Sequence, residues 1–249
     1  MHISKAQIKL VRSLQQKKFR DSLGYFVAEG DKCIDELKKH FELVLLVNSD
    51  NATPAEITQM SAMRTPQGSI AVFKKNAQLV KPAQPAQPVK PAQPASILLC
   101  LDGVQDPGNL GTIIRTADWF GVKHIVCSPD TADCYNPKVV QATMGALARV
   151  QVHYVDLVEW LKQQSAPIYG TLLEGKNIYD VLAAQPAQPA IIIMGNEGNG
   201  ISSSVREYIT HPIRIPSYPE NAETSESLNV AIATAITIAT FRSFNSLNL

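Results

Sequence analysis

The sequence predicts an α/β protein with a mostly parallel sheet, preceded by a smaller α/β part. The first observation is that short apolar runs alternate with stretches of helical periodicity from residue 96 onward. The second is that 45% of the 249 residues are hydrophobic and 18% are charged, so the chain can bury a core. The third is a segment rich in Pro, Gln and Ala at 77–95, which separates two parts. Apolar strands that alternate with helices form a parallel sheet covered on both faces.

This pattern divides the chain into a small domain at 1–76, a linker at 77–95 and a larger domain at 96–249. In the small domain, helical periodicity over 4–20 precedes an apolar run, a helix and two strands, which read FVAEG, DKCIDELKK, ELVLLVN and SIAVFKK. The linker is predicted because proline lacks an amide donor and fixes φ, which keeps a proline-rich segment extended. A related run, AAQPAQPA at 183–190, predicts a loop insertion.

Six strands and six helices alternate in the larger domain. The first helix is predicted to end at Gly121, which can adopt the left-handed conformation of a helix cap, and Pro137 begins the second. The predicted strands are SILLCLDGV, HIVCS, VQVHYV, IYGTLL, IIIMGN and PIRIP. The predicted helices are NLGTIIRTADWFG, PKVVQATMGALARV, LVEWLKQ, IYDVLA, SSSVREYI and a long helix from Ser227.

The charge of the whole chain is uninformative, because the formal net charge is only +1. The first twenty residues, however, carry six basic side chains and no acid, a composition that suits a phosphate backbone. A solvated helix face is the alternative explanation. The six residues are Lys5, Lys9, Arg12, Lys17, Lys18 and Arg20.

Three other classes of feature are weak or missing in the sequence. The four cysteines have no close-spaced pair, so a structural metal is not expected. Cys100 and Cys127 lie in apolar runs and are predicted to be reduced core residues. The sequence shows neither a signal peptide nor an apolar stretch strong enough to span a membrane, so we expect a cytoplasmic protein.

Ligands bind beyond the carboxyl ends of parallel strands, and the first of three polar loops in such a position is DGVQDPGNLG. Asn109 is predicted to cap the helix that follows, and Arg115 lies about a turn and a half later. Asn and Arg in this place suit the binding of a phosphate or a sugar edge. A capped helix with a surface arginine is the alternative.

The second loop, GNEGNGIS at 195–202, places Glu197 among three glycines. Glycine lets a ligand approach backbone amides closely, and an acid in this setting can accept hydrogen bonds from a ligand. A flexible strand-to-helix turn is the alternative. The third loop leads into the last helix, for which Ser225 or Ser227 is the predicted cap, with Asn229 in the first turn.

These segments together resemble the three motifs of the SpoU (TrmH) family of RNA 2′-O-ribose methyltransferases, in the SPOUT superfamily. They read DPGNLGTIIRTADWFG, GNEGNGIS and IPSYPENAETSESLNVAIA. FVAEGDKCIDEL is similar to the family's small RNA-binding domain, which has a ribosomal-protein-like fold. The resemblance implies a SPOUT-type sheet with a C-terminal trefoil knot, S-adenosylmethionine as cofactor, RNA as partner and a homodimer. The proline-rich insertions and the longer loop PSYPENAETSES depart from the family pattern and leave the choice of RNA open.

The resemblance also implies roles for individual residues, with no metal among them. The implied catalytic residues are Asn109, Arg115, Glu197, Ser227 and Asn229. The implied cofactor-binding residues are Met194, Gly195, Asn196, Gly200, Ile215 and Leu228. The residues predicted to bind RNA are Lys17, Lys18 and Arg20.

The implied reaction methylates a ribose 2′-hydroxyl in structured RNA, with ribosomal RNA expected and transfer RNA as the alternative. The family's motif-one arginine, here Arg115, is proposed as the base, yet arginine is normally always protonated. Arg115 therefore either accepts the proton or stays cationic, holds a phosphate and stabilises the developing alkoxide.

Two other functions are less compatible with the sequence. A dinucleotide-binding enzyme requires G-x-G-x-x-G after the first strand, where this chain has GVQDPGNLG. A catalytically inactive RNA-binding protein would be expected to lack some of the five motif residues, and all five are present.

Overall fold

The computed structural model describes most of both predicted domains. The described residues are 2–75, 96–184, 189–219 and 225–247. The predicted linker and the four central residues of the second proline-rich run, 185–188, lie outside them. Two sheets are present in this part of the chain, one of three strands and one of six.

The smaller sheet belongs to the N-terminal part and is antiparallel, with the order β1-β3-β2. Its elements are α1 (Lys5–Ser13), α2 (Lys17–Leu23), β1 (Tyr25–Glu29), α3 (Asp31–Leu37), β2 (Leu43–Val47), α4 (Pro54–Met60) and β3 (Ile70–Lys74). The predicted strands and the helix over DKCIDELKK are therefore present, but α4 had not been predicted. Its signal was a capping box, in which Thr53 and Glu56 each accept a hydrogen bond from the other's amide.

The single helix predicted over 4–20 is wrong, because the chain breaks between α1 and α2. Gln16 has extended backbone angles. The carbonyl groups of Leu14 and Gln15, which a continuous helix would use internally, instead accept hydrogen bonds from Nη1 of Arg20, both at 2.9 Å. A buried side chain from α2 therefore satisfies the polar groups exposed by the break.

The larger sheet is parallel throughout its described pairings, as the alternating pattern predicts, with the order β6-β5-β4-β8-β7-β9. Every residue of β4 and β8 is buried, which explains their continuous apolar runs. The elements are β4 (Ile97–Leu101), α5 (Pro107–Trp119), β5 (His124–Cys127), α6 (Pro137–Thr143), β6 (Gln151–Tyr154), α7 (Leu157–Leu161), β7 (Ile168–Asn177), α8 (Ile178–Ala183), β8 (Ala190–Met194), α9 (Ser203–Arg206), β9 (His211–Arg214) and α10 (Val230–Leu247).

Most predicted boundaries in this part agree with the structure, and α6 is the main exception. Gly121 follows α5 with φ of 68°, as predicted for a left-handed cap. The helix predicted over PKVVQATMGALARV, however, ends at Thr143. Met144 and Gly145 then have φ of 51° and 87°, and a short 3-10 turn follows. A Cβ on Gly145 would lie 2.6 Å from Cβ of Glu36, so packing against α3 requires glycine here.

One apolar cluster extends across both parts of the chain. Phe26 of β1 packs against Tyr135, with ring centroids 4.7 Å apart. Two ion pairs flank this contact, Arg20 with Asp133 at 2.7 Å and Arg149 with Glu36 at 2.6 Å. The N-terminal part therefore packs directly on α6 and the loop before it.

The buried cysteines and the membrane prediction can also be compared with the structure. Cys100 and Cys127 are free and fully buried, which confirms their predicted place in the core. Within the part of the chain described above, no helix has the length and apolar character needed to cross a bilayer. The same residues include no group of three or more His, Cys, Asp or Glu side chains that could hold a metal ion.

Candidate active site

The carboxyl ends of β4, β8 and β9 bring the three predicted loops together. The first loop leads into α5, and Asp106 rather than Asn109 caps that helix. Oδ1 of Asp106 accepts a hydrogen bond from the Asn109 amide at 2.8 Å, and Pro107 occupies the first helical position. The predicted cap at Asn109 is therefore wrong. Asn109 lies three residues after this cap, in the first turn of α5, and its side chain contacts the other two loops.

Asn109 connects all three loops through its side-chain amide. Its Nδ2 donates to Oε1 of Glu197 at 3.1 Å, and its Oδ1 accepts from Nδ2 of Asn229 at 3.0 Å. Residues 88 and 120 positions apart in the sequence thus form one short network. Because both groups of the Asn109 amide are used, the orientation of this side chain is determined.

Asn229 also determines where the last helix begins. Its Oδ1 accepts hydrogen bonds from the amides of Ala231 at 2.9 Å and Ile232 at 3.3 Å, which is the pattern of an N-cap. The helix therefore begins at Val230, not at Ser227 as predicted. Ser227 precedes the cap, and its side chain is exposed.

Glu197 accepts hydrogen bonds from both sides of the first loop. Besides Asn109, the amides of Asp106 and Gln105 donate to its carboxylate at 3.1 and 3.2 Å. Partial burial by itself would raise the pKa of Glu197, but these hydrogen bonds, led by that from Asn109, outweigh it and lower the pKa. Glu197 is therefore a carboxylate at neutral pH, and its chemistry is that of a hydrogen-bond acceptor.

The glycine loop after β8 turns back on itself in a very small space. Gly200 has φ of 67°, and its amide and carbonyl pair with those of Asn196 at 3.0 and 2.9 Å. A Cβ on Gly195 would lie 2.2 Å from the carbonyl carbon of Gly200, so no larger residue fits. The Asn196 side chain donates to the Gly103 carbonyl at 2.6 Å and accepts from two amides of its own loop, those of Gly198 and Asn199.

A cavity of about 750 Å³ opens beside this loop, a size typical of small-molecule sites. All six residues predicted to bind the cofactor line it, as do Glu197 and Ser227. The sequence prediction missed one wall, which β7 supplies through Thr171, Leu172, Leu173 and Glu174. The sequence could have indicated this wall, because it also lies towards the carboxyl end of a parallel strand, where ligands bind.

The motif loops are matched by a family model. The model of the SpoU rRNA methylase family matches residues 96–248. The chain belongs to this family. A second model, described as an MRM3-like substrate binding domain, matches residues 5–86.

Relatives of this SpoU protein match nearly its whole length. It is 30% identical to the 23S rRNA (guanosine(2553)-2′-O)-methyltransferase RlmP of Bacillus subtilis, over 93% of this chain and 94% of that protein. A proposed RNA methyltransferase of the TrmH family from Porphyromonas gingivalis superimposes with a TM-score of 0.83 at 38% identity, covering 98% of this chain and 99% of that one. An rRNA methyltransferase from Sinorhizobium meliloti, solved with S-adenosylmethionine bound, gives 0.83 at 27% identity over 98% and 97%.

The SpoU cavity fits the family's cofactor, S-adenosylmethionine. Met194, Ile213 and Val230 provide apolar surface on which an adenine ring can pack. Glu174 and Glu226 add carboxylates, which suit the positive charge of a sulfonium. The chain is thus an S-adenosylmethionine-dependent methyltransferase.

Arg115 stands apart from the network that joins Asn109, Glu197 and Asn229. It lies on the exposed face of α5, and its guanidinium forms no hydrogen bond or ion pair with the described part of the chain. It does not line the cavity. All five of its donors therefore remain available to a bound ligand.

The structure corrects one of the residues predicted to bind RNA. Arg20 is only 2% exposed, and it donates to Asp133, Leu14 and Gln15. Its donors and its charge are used in the packing of the two parts, so it cannot contact a phosphate. Lys17 is exposed but pairs with Asp21 at 2.9 Å, whereas Lys18 is exposed and lies over the ring of Phe19.

Proposed function

We propose that this SpoU enzyme transfers a methyl group from S-adenosylmethionine to a ribose 2′-hydroxyl of ribosomal RNA, as a cytoplasmic homodimer. The observation that carries the proposal is the network in which Asn109 joins the three motif loops beside the 750 Å³ cavity. Ribosomal RNA is preferred over transfer RNA because the relative in Bacillus subtilis, similar over nearly its whole length, is named a 23S rRNA enzyme.

In this proposal, the cavity would hold S-adenosylmethionine beside the network. S-adenosylmethionine supplies an electrophilic methyl carbon, so the protein has to position the ribose and remove one proton. Gly195 and Gly200 bring the loop backbone close to the ligand, and Leu228 covers the open side, where it is 48% exposed. Met194, Asn196 and Ile215 complete the set of residues predicted to bind the cofactor.

We assign Asn109, Glu197 and Asn229 to positioning at the place where the ribose binds. Ionised Glu197 orients the Asn109 amide and holds the backbone at 105–106, while Asn229 links both to the start of α10. The exposed Ser227 hydroxyl, at the cavity wall, is available to a ligand. Such preorganisation lowers the cost of orienting a flexible ribose for attack.

Arg115 acts in this proposal as a cation that binds an RNA phosphate and stabilises the alkoxide as it develops, while the hydroxyl proton passes to solvent water. Its exposure and its free donors support this role, because they leave the guanidinium able to bind phosphate oxygens. The alternative is that Arg115 accepts the proton.

The homodimer, the trefoil knot and the domain limits at 76 and 96 remain predictions within this proposal. For the homodimer, Trp119 at the end of α5 is 85% exposed and Ile232 of α10 is 52% exposed, and a second copy would cover these apolar side chains. For the knot, the support is membership of the SpoU family. Sedimentation equilibrium of wild type and Trp119→Glu tests the dimer: a monomeric wild-type chain would contradict it.

The deciding experiment maps 2′-O-methylated nucleotides in ribosomal and transfer RNA from cells with and without this gene. We expect one ribosomal position to lose its methyl group and to regain it when purified protein and S-adenosylmethionine are added. Loss of a methyl group in transfer RNA alone would make transfer RNA the substrate. An unchanged methylation map would refute the proposed function.

The cofactor site has its own test by calorimetry with S-adenosylhomocysteine. Leu228→Asp should weaken binding at least about tenfold, because it replaces apolar contact by a carboxylate at an exposed position where folding is not at risk. Leu23→Asp is the matched control, since Leu23 is similarly exposed (44%) but belongs to α2 in the N-terminal part. Equal affinity of both variants would exclude Leu228 from the cofactor site.

A further inference from the structure

Three basic residues form a row along the exposed face of α1. Lys5, Lys9 and Arg12 are all exposed and occupy positions i, i+4 and i+7. At 100° per residue they fall within an arc of about 60°, with about 6 Å and 4.5 Å between successive residues along the axis. The opposite side of the helix is held in the core by Val11, and Leu14 follows it there. We call these three residues the α1 basic row.

The row differs from most other cations of the N-terminal part in having no counter-charge. Its three side chains form no ion pair or hydrogen bond within the described residues, and no acid occurs before Asp21. Lys18, Lys32 and Arg64 also lack an acidic partner, but they lie on three different segments. The cations that are neutralised are Lys17, Arg20, Lys38, Lys39, Lys74 and Lys75.

The position of α1 shows which side of the molecule this charge faces. Side chains of the small sheet alternate between two clusters. Phe26 and Phe73 belong to the cluster shared with the catalytic part, whereas Val27 and Val72 belong to the cluster that contains Val11 of α1. The sheet therefore lies between α1 and the catalytic part. The row faces outward and has no role in the packing of the two parts.

We propose that the α1 basic row is the principal phosphate-binding surface of the N-terminal part, and that it binds the RNA backbone at a distance from the methylated ribose. An unneutralised row of like charges is unfavourable unless a polyanion or its counterions lie against it, and RNA binding releases those counterions. This inference rests on the proposed function. The row takes over the RNA-binding role that the sequence predicted for Arg20, and Lys17 and Lys18 become secondary RNA contacts.

The test compares two triple variants of the full chain that remove the same charge. Lys5→Gln/Lys9→Gln/Arg12→Gln neutralises the row, and Lys38→Gln/Lys39→Gln/Lys74→Gln neutralises three lysines that are already paired with acids. Binding to ribosomal RNA from cells lacking the gene is measured from about 50 to 200 mM salt, the range over which phosphate contacts are lost. Circular dichroism and binding of S-adenosylhomocysteine verify that each variant is folded.

We expect the row variant to bind at least about tenfold more weakly at low salt, with a salt slope smaller by about two units, because each phosphate contact contributes roughly 0.7 to 0.9. The paired-lysine variant should remain near wild type. Equal losses in both variants would show that only total charge matters and would overturn the inference. Unchanged binding in both would also overturn it and leave the proposed function intact. A wild-type protein that neither binds nor methylates this RNA would remove the proposed function and the inference with it.

Discussion

Arg20 and Arg115 are two arginines on helices whose surroundings in the structure are opposite. Arg20 is 2% exposed and uses its guanidinium on Asp133 and on two backbone carbonyls. Arg115 is exposed and has no partner in the described part of the chain. The same side chain therefore stabilises the fold in one region and remains available to a ligand in the other. The partners of an arginine, and not its charge, therefore distinguish a structural role from a functional one in this protein.

The largest effect expected from this comparison is on stability, from Arg20→Ala. The variant leaves Asp133 without its ion-pair partner and leaves the carbonyls of Leu14 and Gln15 without their donor. The free energy of unfolding should fall by about 3 kcal/mol or more, as for other buried pairs that lose one partner. Urea denaturation measures this loss, and turnover per folded molecule should be preserved. Lys18→Ala is the control, and an Arg20→Ala protein as stable as that control would contradict the assigned role.

Arg115→Ala should have the reverse effect. Stability and binding of S-adenosylhomocysteine should be retained, while turnover should fall at least about a hundredfold, equivalent to about 2.7 kcal/mol in the barrier. Single-turnover methyl transfer to RNA measures it. Near-normal turnover would remove Arg115 from the catalytic residues.

Arg115→Lys distinguishes the two roles open to Arg115, which are to bind a phosphate as a cation or to accept the proton. Lysine keeps the charge but loses the planar fork, and it can be deprotonated more easily. If Arg115 holds a phosphate, the lysine variant should recover little activity at any pH. A rate that recovers and rises with pH would instead support proton transfer at this position. The pH profile of single-turnover methyl transfer distinguishes the two outcomes.

A smaller effect is expected from Glu197→Gln, because the amide keeps the shape but loses the negative charge. Hydrogen bonds to a charged acceptor are worth about 1.5 kcal/mol or more, so turnover should fall about tenfold. The fall should be in kcat, with cofactor affinity nearly unchanged, since Glu197 acts on Asn109 and the 105–106 backbone. A change confined to cofactor affinity would show that Glu197 belongs to the cofactor site alone.

The smallest effect is the dependence of stability on pH at Glu197. Because hydrogen bonds lower its pKa in the folded protein below the ordinary value of 4.5, its stabilising contribution is complete above that value. The contribution is lost as the pH falls through the lowered pKa. The stability difference between wild type and Glu197→Gln should therefore be constant from pH 7 to about 5 and then shrink. A difference that grows on acidification would have the wrong sign for this network.

The sequence pattern was enough to predict the class of the fold, and the family resemblance added the residues expected to bind the cofactor. Alternating apolar runs predicted the parallel sheet, and all six predicted cofactor residues line one cavity. Both results depend on short-range information, because periodicity reports which face of an element is buried and a motif keeps its residues within one loop. The resemblance of the three motifs then pointed to the SpoU family.

The pairing of polar groups, in contrast, depends on the tertiary structure. Two of these interactions join residues from different elements: the hydrogen bond from Asn109 to Glu197 and the ion pair of Arg20 with Asp133. In a third, Asp106 caps α5 in place of the predicted Asn109. Such pairings depend on how elements pack: Arg20 and Lys9 carry the same charge, but Arg20 is buried and Lys9 is exposed. Burial and the hydrogen bonds it requires are set by the whole fold, which is why the sequence could name these residues but not assign their partners.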